Sequence, residues 1–152
     1  ALLVPERRPV VHALGDGPAL PEARADAARL GVALDAPGAV APPEVRAAID
    51  AAALVVLPSQ WAEPFGYVGI EAFARGRTVV AFDTGGVRGW LADGKNGLAV
   101  PAGDTAALSA AIDALLTDDD RRDGFGRRAR EDAEGYRAAP VIRALLDAYR
   151  SG

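Results

Sequence analysis

The sequence predicts an α/β fold, a Rossmann-like parallel sheet with helices on both faces. Short apolar runs alternate along the chain with segments of helical periodicity, the order that builds βαβ units. One run, Leu54-Val55-Val56-Leu57, has no polar residue, which suits a strand covered on both sides. Gly31 and Gly76 each follow a helical segment directly, where a glycine ends a helix.

The elements follow in order. Val10 to Leu14 is expected as a buried strand. Pro21 to Leu30 is Ala-rich and helical, with Leu20, Ala23, Ala27 and Leu30 on one face. Leu34 to Ala36 is a short strand. Pro42 and Pro43 sit where a first helical turn tolerates proline, and Glu44 to Ala51 continue that helix. Leu54 to Leu57 is expected as the central strand. Gly66 to Arg75 is a helix, and Thr78 to Phe82 the next strand. Gly97 to Val100 is a short strand after the Asp93-Gly94 and Asn96-Gly97 turns. Asp104 caps a helix from Thr105 to Leu116. Asp118-Asp119-Asp120 reads as a solvated helix start, with acids at the positive end of the dipole. A final helix, Pro140 to Arg150, carries Val141, Leu145 and Ala148 on one stripe, beside Ile142, Leu146 and Tyr149.

At 152 residues the chain reads as one domain, 1–152, able to bury about 70% of its unfolded surface. The net charge of −4 speaks against a nucleic-acid partner, which favours a basic face. The absence of cysteine leaves no disulfide framework and no thiolate chemistry, and a single histidine disfavours zinc. No metal site is expected. No long apolar stretch or leader peptide stands out, so the expected location is cytoplasmic, with membrane association of a larger parent left open.

The candidate site is the run Glu63-Pro64-Phe65-Gly66-Tyr67-Val68-Gly69-Ile70-Glu71, between a strand and a helix. Gly66 opens the helix, and the free N–H groups of Gly66, Tyr67 and Val68 favour an anion there. Glu63 lies in the loop and Glu71 about one turn into the helix. An anion flanked by groups that accept from hydroxyls describes a nucleotide-sugar: diphosphate, ribose and hexose. Phe65 belongs to the same donor-contacting loop, its side chain read as packing. Gly85 and Gly86 follow a strand, where ligands of parallel sheets sit and where glycine lets backbone approach closely. A tight turn is the plainer reading of that pair. His12 has no nucleophile beside it and is read as structural. No Gly-x-Gly-x-x-Gly opens a helix.

Pro58-Ser59-Gln60-Trp61-Ala62-Glu63-Pro64-Phe65-Gly66, running on to Glu71, resembles the donor-binding motif of the group 1 glycosyltransferases, retaining enzymes of the GT-B fold. The strand and turn Val10 to Pro18 resemble an earlier segment of that family. Thr78 to Gly86 resemble its later strand and double-glycine loop, and Asp93 to Asp104 the hairpin that follows. The resemblance implies that Glu71 accepts from both ribose hydroxyls and that Glu63 is catalytic, contacting the donor hexose near the reacting carbon. It places Val40 near the base edge. Gly85 and Gly86 fall among the donor contacts, although Val87-Arg88-Gly89-Trp90 stand where the family often has Pro-Glu. It also implies a nucleotide-diphosphate sugar as substrate, no separate cofactor, and assistance to the acceptor from the leaving phosphate.

A domain of that family should open with a further strand and a long helix carrying an Arg and a Lys for the diphosphate. Neither is matched here: Arg7 and Arg8 come just before the strand that should be second. The chain therefore reads as the nucleotide-sugar half of a two-domain enzyme, lacking its first strand and its N-terminal acceptor-binding domain. It is expected to be inactive alone. Two alternatives stay open: another GT-B enzyme such as a nucleotide-sugar epimerase, and a catalytically silent nucleotide-binding or interaction module.

Overall fold

A computed structural model describes residues 9–150. Arg7 and Arg8 lie outside the described residues. The chain divides between Ala51 and Ala52 into two compact units.

The first unit contains β1 (Val11–Leu14), α1 (Leu20–Leu30), β2 (Leu34–Gly38) and α2 (Pro42–Ala51). β1 and β2 pair in parallel, with Val11 opposite Leu34 and His12 opposite Asp35. β1 is not the buried strand expected: Val11 and His12 are exposed, and Ala13 and Leu14 only half-buried. The imidazole Nδ1 lies 2.9 Å from the Asp35 carboxylate, an exposed cross-strand pair. α1 packs on β2, and Arg24 donates to the Ala36 carbonyl at 2.6 Å. α2 begins at its two prolines, and the Glu44 carboxylate accepts from the Ala41 N–H at 2.8 Å. That bond satisfies a backbone donor at the helix entry.

The second unit contains β3 (Val55–Leu57), α3 (Tyr67–Ala74), β4 (Val79–Phe82), β5 (Gly97–Val100), α4 (Thr105–Thr117), α5 (Asp119–Ala133) and α6 (Ala138–Arg150). Its strands are all parallel, in the order β3-β4-β5. The middle place therefore belongs to β4, not to the Leu54–Leu57 run expected there. Val79, Val80, Ala81 and Phe82 are all buried, while β3 is half-buried throughout. An apolar tetrad alone does not distinguish the two, because β4 is equally apolar. The expected hairpin is also corrected. β5 pairs in parallel with β4, and Asp93 to Gly97 form a compact turn in which the Gly94 N–H donates to the Gly97 carbonyl at 2.9 Å.

Asp104 is the cap the sequence predicts, and Asp118, in the acidic run expected to start a helix, is the N-cap of α5. Asp104 accepts from the Ala107 N–H and Asp118 from the Arg121 N–H, each at 2.9 Å. Replacing such a cap costs about 1 kcal/mol. α5 runs on for 15 residues and packs against α3. Phe73, Phe82 and Leu115 are the largest fully buried apolar side chains among the described residues. Burial of each contributes roughly 1.5–3 kcal/mol. α6 contacts the 3₁₀ turn Glu134–Tyr136 and leaves Val141, Ile142, Leu145, Leu146 and Tyr149 exposed. No helix among the described residues is long and apolar enough to cross a membrane.

Candidate functional site

β3 and β4 are parallel, so the loops that leave them emerge at the same end of the sheet. The loop after β3 carries Glu63 to Gly66; the loop after β4 carries Gly85 and Gly86. Chain direction alone thus brings the two glycine-bearing segments together. The second is a 3₁₀ turn, Gly85–Gly89, which the sequence did not reveal.

The contact between them is backbone on backbone. The Gly86 N–H donates to the Glu63 carbonyl at 2.7 Å. A Cβ on Gly85 would stand 2.3 Å from that carbonyl oxygen, and a Cβ on Gly86 2.1 Å from the Pro64 carbonyl oxygen. Both glycines therefore have a reason within the protein: they let one loop lie on the other. The Thr84 hydroxyl adds a bond to the Ser59 carbonyl at 3.3 Å.

Gly66 is the N-cap of α3, with φ 81° and ψ 55°. Any other residue would be strained in that left-handed conformation. Among the bonds to described residues, the first within this turn runs from the Gly69 N–H to the Gly66 carbonyl at 2.8 Å. The N–H groups of Tyr67 and Val68 precede it at the positive end of the helix. Gly69, Ala72 and Phe73 form the buried face of α3, at helical spacing. Tyr67, Val68 and Glu71 share the exposed face, again at spacings of three and four. Glu71 thus stands one turn beyond the helix mouth, on the side open to solvent. Glu63 is half-buried in the loop. Neither carboxylate has a hydrogen-bond or ion-pair partner among the described residues.

Phe65 is half-buried and packs against two tyrosines. Its ring is 4.9 Å from Tyr67 and 5.8 Å from Tyr136, centroid to centroid. Val40 belongs to the first unit, in the link between β2 and α2, and is half-buried. Among the described residues, no group of three or more acids or histidines comes together as a metal site.

Three supporting residues escaped the sequence reading. Trp90 is buried, donates through its indole Nε1–H to the Phe65 carbonyl at 2.5 Å, and meets Phe73 edge-on. The signal available was a large aromatic soon after a double glycine, with Gly69 facing it from the helix. Asn96, at a turn in the sequence, is fully buried and hydrogen-bonded through both its amide nitrogen and its amide oxygen. It donates to the Trp90 carbonyl at 3.0 Å and to Asp132 at 2.9 Å, and accepts from the Ala92 N–H at 2.9 Å. The Tyr136 hydroxyl donates to the Gly89 carbonyl at 3.1 Å. Arg88 turns back on Asp83 at 2.5 Å, and this bond to the carboxylate, with its charge, raises the guanidinium pKa above its ordinary value. The Arg88-Gly89 departure thus finds partners in this chain.

These features define an α/β domain with a candidate site at the C-terminal ends of β3 and β4, where a glycine-opened helix lies with two carboxylates that have no partner among the described residues. The sequence pattern of the family described as "Glycosyl transferases group 1" matches residues 5–132. The chain belongs to that family. It is 39% identical over 110 residues to a D-inositol 3-phosphate glycosyltransferase of Corynebacterium urealyticum, an alignment covering 72% of this chain and 26% of the relative. With the D-inositol 3-phosphate glycosyltransferase of Kribbella flavida it shares 38% identity over 141 residues, 90% of this chain and 33% of the relative. Among solved structures, it resembles a mutant of S. aureus TarM, in complex with Fondaparinux, alpha-GlcNAc-glycerol and UDP. The TM-score is 0.84 at 25% identity, over 96% of this chain and 30% of that one. The chain thus spans a third or less of the length of these curated relatives.

Proposed function

We propose that this chain is the donor-binding part of a retaining glycosyltransferase, which moves a sugar from a nucleotide-sugar to an acceptor. The observation that carries the reading is the pair of unpartnered carboxylates, Glu63 and Glu71, on either side of the α3 N-terminus. Such acids are unremarkable singly. Flanking a helix mouth that favours an anion, they match a diphosphate with hydroxyls at both ends. Membership of the family and the UDP in the TarM complex support the same ligand class.

In this reading the diphosphate lies against the N–H groups of Gly66, Tyr67 and Val68. Glu71 takes the ribose diol and Glu63 the hexose hydroxyls. As the bond from the anomeric carbon to the diphosphate oxygen breaks, positive charge grows on the sugar. The Glu63 carboxylate stabilises it, and the helix terminus stabilises the leaving diphosphate. The acceptor oxygen bonds to the same face, and its proton passes to the departing phosphate. Acceptor contacts belong to a separate domain of the parent. Gly85 and Gly86 serve chiefly by seating the Glu63 loop.

Amide NMR during titration with UDP and with GDP tests the reading. The Gly66, Tyr67 and Val68 amides should shift in a saturable way with one of them. Saturable shifts confined to residues elsewhere would contradict the site.

A further inference from the structure

We propose that Trp90 is a positioning residue for the diphosphate: it fixes the direction of the Phe65–Gly66 peptide, and with it the Gly66 N–H. The inference rests on the donor-site reading above and assigns a cause to one of its donors.

A trans peptide is planar, and its C=O and N–H point in opposite directions. The Phe65 carbonyl accepts from the Trp90 indole N–H at 2.5 Å. The N–H of the same peptide, that of Gly66, is thereby directed away from the indole. Gly66 does not hold this orientation by itself. With φ 81° it occupies a conformation that glycine leaves as readily as it enters. Rotation of the 65–66 peptide would exchange the two groups and present a carbonyl oxygen, with its negative end, to an incoming phosphate. The indole bond opposes that rotation.

The indole is held firmly enough to act as a reference. It is 5% exposed, and its ring stands at 87° to Phe73 with centroids 5.2 Å apart. Its six-membered ring fills the space beneath the first turn of α3. A Cβ on Gly69 would lie 2.2 Å from Cη2, and one on Gly66 3.2 Å from Cζ2. Behind it, the Trp90 carbonyl accepts from Asn96, which also donates to Asp132 of α5. A chain of bonds thus runs from α5 through Asn96 and Trp90 to the mouth of α3. A buried Trp N–H generally finds a partner; here that partner is the carbonyl at the site. An aliphatic side chain at position 90 would fill some of the space and leave the peptide free.

The test uses the full-length protein with two replacements. Trp90→Phe removes the donor and part of the ring. β-(3-Benzothienyl)alanine at position 90 keeps the ring outline and removes only the donor, so it decides the matter if Trp90→Phe folds poorly. UDP, GDP, uridine and guanosine are titrated calorimetrically. For whichever diphosphate the wild type binds, both replacements should weaken affinity about tenfold and leave the matching nucleoside unchanged. Tenfold corresponds to about 1.4 kcal/mol, the size of one weakened bond to a charged group. Unchanged diphosphate affinity in the benzothienyl protein overturns the proposal while leaving the site intact. Equal losses for diphosphate and nucleoside also overturn it, since they indicate general loosening. Failure of the wild type to bind either diphosphate overturns the donor-site reading together with this one.

Discussion

The loop from Glu63 to Val68 has an underside and an open side, and the two are built in opposite ways. On the underside every approach is spoken for. Gly86 donates to the Glu63 carbonyl, Trp90 to that of Phe65, and no space remains for a Cβ at Gly69, Gly85 or Gly86. On the open side Glu63 and Glu71 have no described partner, and Tyr67 and Val68 are exposed. Polar groups that matter to the fold carry partners inside the protein. Those left without one, around a helix mouth, are available to a ligand. The contrast therefore sorts residues by role without reference to any relative.

Substitutions on the two sides should fail differently. The largest effect is expected beneath the loop. Gly86→Ala places a Cβ 2.1 Å from the Pro64 carbonyl oxygen, so the backbone must move. Urea denaturation should show a loss of about 3 kcal/mol, the upper range for overpacking. A loss below about 1 kcal/mol would show that the loop yields easily and that the underside is not the rigid half.

Glu63→Gln, on the open side, should leave stability within about 0.5 kcal/mol of wild type. In the full-length enzyme kcat should fall by on the order of a hundredfold, since a charge aimed at the transition state is lost. Nucleoside diphosphate affinity should stay within about twofold. Lost diphosphate binding with unchanged kcat would place Glu63 at the phosphates instead.

The smallest effect is expected at the border of the two sides. Tyr136→Phe deletes the bond to the Gly89 carbonyl and keeps the ring against Phe65. Unfolding free energy should drop by about 0.5–1.5 kcal/mol, with kcat unchanged. A drop in kcat without loss of stability would move Tyr136 from support to site.

Where the open-side residues stand was legible in the sequence, and the underside was not. Gly66 at a helix mouth and Glu71 one turn into that helix follow from local chain signals, whereas the roles of Glu63 and Glu71 come from the family resemblance. Asp104 was legible as a cap because its partner is three residues away. Trp90, Asn96 and Tyr136 act on residues 25, 36 and 47 positions distant, and no periodicity encodes such pairs. The order of strands escaped for a related reason. Val79-Val80-Ala81-Phe82 and Leu54-Val55-Val56-Leu57 are equally apolar, and only the packed structure shows which lies between two others. Gly85 and Gly86 were recognised as a place of close approach. What approaches in the structure is the Glu63 loop.

The central claim is that the open side holds a nucleotide-sugar, with Glu71 on the ribose. Calorimetric titration of the full-length wild type and Glu71→Ala with UDP and 2′-deoxy-UDP, or the GDP pair if that is the base bound, tests it most directly. Two bonds to a carboxylate contribute roughly 1.5–3 kcal/mol each. Glu71→Ala should therefore weaken ribonucleotide binding at least about tenfold. Wild type should prefer the ribonucleotide, and Glu71→Ala should barely distinguish the two. The same ribo-to-deoxyribo preference in both proteins would contradict the account and leave Glu71 a surface acid.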